Sequence, residues 1–264
     1  MPLIHIHSFD ESFFQMFSER LKKSNHRLTI HAEDPSADNI HDLRTSIRRM
    51  ISIYQILPKQ LRKKKIKKFV KKYALFFKSN SKIRDYDILF EKLSSYGFSD
   101  PTFIQYLEKQ RKKKLVDALD QSTVLLKLKV PDISTKSDLI DEINVLFTKQ
   151  CLDLIVEIQT NLPIIIRDET KIEELHSMRK TVKKLRYLLE FLPEDSISTL
   201  LEGLKQLQDL LGDIHDNDMT ISFFQKKSEK FKSLESILLI EKESRNTNFK
   251  KIGLSLNSFL SVNQ

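Results

Sequence analysis

Turn-forming residues are scarce in this chain, which has 4 glycines and 7 prolines in 264 residues. Architectures made of many tight turns need more of both, and no segment shows sustained period-two alternation with turn pairs between. Leu, Ile, Lys, Glu and Gln are abundant instead, which favours long helices joined by short loops. A single cysteine, Cys151, excludes an internal disulfide and fits a reducing compartment. Its expected place is in the core, as a small apolar side chain. No apolar run is long enough to span a bilayer. The stretch from Met1 to Phe17 lacks a basic leading region and carries Asp10 and Glu11, so it does not read as a signal peptide. A soluble cytoplasmic protein is expected.

Charge is plentiful but uneven. Residues 1–132 hold 27 Lys and Arg against 15 Asp and Glu, whereas residues 133–264 hold 18 against 21. The first half is therefore at +12 and the second at −3, for a formal net charge of +9. Such an excess attracts anions over long range without choosing among nucleic acid, anionic lipid and polyphosphate.

An internal repeat narrows the choice. His41-Asp-Leu-Arg44-Thr-Ser-Ile-Arg48-Arg49 lies against His176-Ser-Met-Arg179-Lys-Thr-Val-Lys183-Lys184, 135 positions later. The register holds to Pro58 and Pro193. Arg84-Asp85-Tyr-Asp87 then resembles His215-Asp216-Asn-Asp218 at an offset of 131, as a shorter loop in the second copy would produce. Val130-Pro131-Asp132 is the natural boundary, giving copies over approximately 9–130 and 132–260. Periodicity and breakers predict helices over Phe9 to Leu28, Ala37 to Leu57, Lys59 to Lys78, Arg84 to Tyr96 and Pro101 to Lys127. The second copy reads as Lys136 to Leu162, Glu169 to Leu192, Ser196 to Leu211, Asp216 to Phe231 and Ser233 to Phe259. An all-α fold of two helical bundles related by a pseudo-twofold axis is expected.

Each copy contains one helix with a cationic face. At about 100° per residue, Arg179, Lys183, Arg186, Tyr187 and Glu190 fall near His176, with Met178, Val182, Leu185, Leu189 and Leu192 opposite. In the first copy His41, Arg44, Arg48, Ser52 and Gln55 form the polar stripe, opposite Leu43, Ile47, Met50, Tyr54 and Leu57. Arg offers phosphate a planar fork, Lys a mobile point charge, and protonated His two donors. The runs Lys63-Lys64-Lys65 and Arg111-Lys112-Lys113-Lys114 read as solvated faces. The repeated acids Asp85, Asp87, Asp216 and Asp218 read either as helix-start caps or as partners that hold the cations of the stripes in place.

At these residues the chain resembles the CHAD family, the conserved-histidine α-helical domain. His176-x-x-Arg179-Lys-x-x-Lys183-Lys184-Leu-Arg186-Tyr187-x-x-Glu190 is similar to that family's second basic helix. Leu204-Lys205-x-Leu-Gln208-Asp209-x-Leu-Gly212-Asp-x-x-Asp216 is similar to the segment that follows. His41-x-x-Arg44-x-x-x-Arg48-Arg49 and Arg84-Asp85-x-Asp87 match the first-half pattern, so the likeness runs from about Phe9 to Leu260. Asn80-Ser81 departs from the Leu-Gly of Leu211-Gly212, and His215 stands at an Asn-like position. The resemblance implies two four-helix bundles around a basic central cavity that binds inorganic polyphosphate without catalysis. It implies cavity-lining roles for His41, Arg44, Arg48, Arg49 and Arg84 in the first copy. In the second it implies the same for His176, Arg179, Lys183, Lys184, Arg186 and Lys205. No cofactor or metal is implied, and association with polyphosphate granules is an accompanying expectation.

Two rivals come from other classes. His41-Asp42 and His215-Asp216 are His-Asp pairs of the type that hold a divalent metal in helical phosphohydrolases. Against that reading, Ser177 stands in place of Asp42 in the second copy, and Arg44 and Arg48 would repel a cation. Nucleic-acid binding is the other, through basic helices along phosphates. Most of the 17 Phe fall in apolar helical phase, as in Phe13-Phe14-Phe17, and so are expected in the core rather than as a stacking platform.

Overall fold

The computed structural model describes residues 9–192 and 197–261, with side chains described as far as Ile252. Pro193 and the helix start expected at Ser196 lie outside the described residues. Within them the chain is all helical. It runs α1 (Ser12–Glu33), α2 (Ala37–Gln55), α3 (Lys64–Ser79), α4 (Ser81–Ser95), α5 (Pro101–Leu126), α6 (Ile140–Ile165), α7 (Ile172–Leu189), α8 (Ser198–Gln225) and α9 (Leu234–Ser261). Short 3-10 turns precede α3 and α6. No described helix is long and apolar enough to cross a membrane.

The chain forms two compact units, Ser8–Phe147 and Thr148–Gln264, whose border falls inside α6. In the first unit α2 packs on α1, α3 and α4, while α5 packs on α1, α3 and α4. Leu43, Ile47, Met50 and Ile53 of α2 are at most 2% exposed, so its apolar stripe is fully used. Each such side chain contributes about 1.5–3 kcal/mol on burial. In the second unit α8 packs on α7 and α9, and α7 buries Leu175, Met178, Val182, Leu185 and Leu188. Cys151 is buried, and burial pushes its thiol up to about 12.

Local chemistry sets the helix ends. The Ser36 hydroxyl accepts from the Asn39 N–H and starts α2; Asp100 caps α5, with Pro101 in its first turn. Gly97, at φ +63°, closes α4 as its N–H reaches the Ser94 carbonyl and the Phe98 N–H reaches Leu93.

The two segments aligned in the sequence differ in the middle. Between α3 and α4 the Asn80 amide donates to the Phe76 carbonyl at 2.8 Å, and the helix ends there. Leu211, at the matching position, has no competing polar group and is buried, so α8 runs unbroken through Gly212 to Gln225. The two helices expected over Ser196 to Leu211 and Asp216 to Phe231 are thus a single one. A lone glycine, without an adjacent group to take the free carbonyls, does not stop a helix.

Gly212 therefore gives a direct stability test. A Cβ there would meet Arg179 Nε at 3.8 Å, an ordinary van der Waals distance. Gly212→Ala should raise stability by about 0.5–1 kcal/mol in denaturant unfolding, because it removes mid-helix glycine entropy. A loss of stability would show that α8 is not helical through this point.

Candidate anion-binding site

Helix α7 carries the more ordered of the two basic strips. His176, Arg179, Lys183 and Arg186 share the face opposite its buried Leu175, Met178, Val182 and Leu185. The side chains of His176, Arg179 and Arg186 are 19%, 16% and 16% exposed, so they are held rather than freely solvated. His176 Nε2 lies 3.3 Å from Asp218 Oδ2, and its ring meets that of His215 edge-on at 4.3 Å. The other oxygen of Asp218 accepts from Arg245 Nε at 3.0 Å. Arg245 in turn pairs with Glu169 at 3.3 Å and donates to the Glu169 backbone carbonyl. These bonds tie the approach to α7, then α9, α8 and α7 itself to one carboxylate.

Farther along α7, Arg179 packs over Gly212 of α8. Its Nη2 is 4.0 Å from Asp216. Arg186 pairs with Glu190 at 2.9 Å and sits 5.4 Å from the Tyr187 ring centre. Tyr187 itself is buried rather than part of the polar face. Lys184 is half-buried, and Lys205 is exposed on α8. His215 reports the local field. Burial, then the charges of Arg179, His176 and Lys183, push its pKa down to about 3. The cationic neighbours add to burial in disfavouring the protonated ring.

In the other unit α2 presents a looser version. Arg44 donates to the Phe77 carbonyl at 3.1 Å and lies 4.2 Å above the Phe77 ring; Arg48 lies 5.0 Å from the same ring. Phe77 is thus a cation–π platform for both. His41, 59% exposed, is 3.6 Å from Asp42. Ser52 is buried and bonds to the Arg48 carbonyl instead of facing solvent. Arg49 turns away toward α1, where it lines a recess with Arg20, Lys23 and Arg27. Arg84 is on α4 and pairs with Glu91 at 3.4 Å.

The repeated acids do different work in the two copies. Asp218 holds His176 of the strip, whereas its counterpart Asp87 holds Arg111 of α5 at 2.7 Å. Burial pushes the Asp87 carboxyl up, against the pull of Arg111. Asp85 pairs with Lys82. None of the four lies in a first helical turn, since α4 begins at Ser81 and α8 at Ser198. The capping role is therefore excluded. Sequence reasoning missed Arg245, the buried partner of Asp218, and put Arg111, the half-buried partner of Asp87, on a solvated face. Arg111 has one signal, an arginine heading a run of lysines.

Among the described residues no group of three or more His, Cys, Asp or Glu is placed to hold a metal ion. The donors themselves also argue against a dication. His215 is crowded by Arg179 and Lys183, and Asp42 is bonded to Arg27 at 3.0 Å.

Paired basic helices in an all-α chain define a class, and comparison with known proteins supplies the family. The CHAD domain model matches residues 16–225, so the chain belongs to the CHAD family, whose domains are regulatory rather than catalytic. The structure is similar to the crystal structure of the CHAD domain from the plant Ricinus communis. The TM-score is 0.52 at 15% identity, over 95% of this chain and 91% of that one, a likeness of fold. Comparison with curated proteins gave no match.

Two outcomes follow from the Asp218 network. Asp218→Ala leaves Arg245 buried without its carboxylate and should cost about 3–5 kcal/mol, whereas Asp216→Ala, at a more exposed carboxylate 4.0 Å from Arg179, should cost less. Equal losses in denaturant unfolding would remove Asp218 from its central place. His215 governs acid behaviour. An unfolded histidine takes a proton near pH 6.5, but folded His215 refuses one until about pH 3. Stability should therefore fall as pH drops below about 6.5, with a contribution of up to about 1.4 kcal/mol per pH unit from this group. His215→Asn should lessen the drop between pH 7 and pH 5; identical drops in variant and wild type would refute the assignment.

Proposed function

We propose that this protein binds inorganic polyphosphate, without catalysis, through the basic strips of α2 and α7. The observation that carries this reading is the α7 strip, in which His176, Arg179 and Arg186 each stand beside an acid and are largely shielded from solvent. Cations fixed in advance lose little entropy on meeting an anion. From His176 to Glu190 the strip spans about 21 Å, long enough for several phosphates of an extended chain. Arg44 and Arg48, steadied over Phe77, would contribute in the same way from α2. The basic central cavity and the pseudo-twofold pair of four-helix bundles, both implied by the resemblance, belong to this proposal. So do the cytoplasm as compartment and association with polyphosphate granules.

Nucleic acid ranks second as partner. Phe13, Phe14, Phe17, Phe69, Phe76 and Phe103 are buried, which takes them out of any stacking surface. Competition between polyphosphate and single- or double-stranded nucleic acid at equal charge separates the two.

Binding should depend on position rather than on net charge. Removing Arg179 and Lys183 together (both to Ala) should weaken polyphosphate affinity about a hundredfold, at roughly tenfold for each charge-assisted hydrogen bond to phosphate. Removing the exposed Lys112 and Lys113 deletes the same charge and should change affinity by no more than about twofold. Titration at fixed salt reads both, and equal losses would leave only a diffuse charge effect.

A further inference from the structure

The helices α1 and α2 enclose a second cationic feature, distinct from both strips. Arg20, Lys23 and Arg27 stand at i, i+3 and i+7 on α1 and so share one face. Ser24 and Ser46, small, buried and hydrogen-bonded at 3.0 Å, mark where α1 and α2 approach closely. That approach brings Arg49 of α2 into the same recess, of about 60 Å³, with Thr45 and Ser46 in its wall. Asp42 is the one acid in the lining; it is 3.0 Å from Arg27 and 3.6 Å from His41.

The corresponding recess between α6 and α7, lined by Glu157, Glu174 and Ser177, lacks this arginine cluster. From Gln150 to Ile165, the part of α6 that precedes α7, there is neither Lys nor Arg. Ile155, Ile158 and Leu162 occupy the positions reached from Arg20, Lys23 and Arg27 by the 135-residue offset. A duplicated polyanion strip does not explain a cluster that only one copy has.

We propose that the α1–α2 recess is a separate site for a single dianionic phosphate group. Arg20, Lys23, Arg27 and Arg49 gather four cationic side chains around one recess, whereas the strips spread theirs along a line. Inner units of a phosphoanhydride chain carry one charge each, while a terminal phosphate carries about −1.5 to −2 near pH 7. Concentrated charge therefore favours the terminal group. A short free phosphoanhydride and the end of a longer chain both supply it. The first source is independent of the strips, and the second rests on the polyphosphate reading above. In either case the phosphate takes the place of Asp42 beside Arg27.

Calorimetric titration of the full chain at fixed ionic strength tests this with pyrophosphate, which consists only of end groups. The pair Arg20→Gln and Lys23→Gln should lose about tenfold or more in pyrophosphate affinity, the value of one or two charge-assisted hydrogen bonds. Lys112→Gln with Lys113→Gln, equal in charge removed, should leave it unchanged. Asp42→Asn should tighten it, which also guards against a variant that merely misfolds. Long-chain polyphosphate with free ends, or with ends capped as phosphoramidates, then identifies the source. An affinity that falls on capping, only when Arg20 and Lys23 are present, assigns the chain end. No effect of capping, with pyrophosphate still dependent on Arg20 and Lys23, assigns the short free anion. Failure of wild type to bind pyrophosphate, or equal losses in the two double variants, would overturn the proposal. Failure of wild type to bind long chains, with pyrophosphate binding intact, would instead refute the strips and leave the recess standing.

Discussion

One buried carboxylate organises the second unit. Asp218 accepts from Arg245 with one oxygen and meets His176 with the other, and its side chain is only 6% exposed. A charge taken this far from water is costly unless fully partnered. Its partners come from α7 and α9, so the packing of three helices and the aim of the first strip residue are set together. The neighbouring histidine, His215, is held well below its usual pKa, first by burial and then by the charges of Arg179, His176 and Lys183.

The first unit meets the same demand differently. Asp87 is buried like Asp218, but its arginine, Arg111, comes with no strip histidine attached. His41 consequently stands largely in solvent, and Arg44 and Arg48 rely on the Phe77 ring and its carbonyl for support. Each half of the chain thus has an Asp–Arg pair built on a buried aspartate, while the surfaces around it differ. The helix break at Asn80 against the unbroken α8 is a further difference between the halves, as is the cationic recess on α1 and α2.

The all-helical class and the two strips were legible in the sequence because both depend on local periodicity. His176, Arg179, Lys183 and Arg186 recur at helical spacing, and the structure places them on one face of α7. Features set by pairing between distant residues were not legible. Arg245 lies 27 positions from Asp218, and nothing in its neighbourhood marks it as a buried partner. Arg49 fits the wheel of the α2 stripe at its edge, but the close approach of α1 draws it away into the recess. Gly212 reads as a break for the opposite reason: a glycine weakens a helix locally but does not end it without a polar neighbour such as Asn80 to take the carbonyls.

Nitrogen-bound proton resonances of the arginine side chains, followed as polyphosphate is added, test the central claim most directly. The account predicts that the Nε–H signals of Arg179, Arg186, Arg44 and Arg48 shift together and saturably. Arg62, whose guanidinium is committed to the Leu57 and Gln55 carbonyls, should stay in place. Uniform small shifts across all arginines, or shifts confined to Arg62 and other sites off the strips, would contradict it.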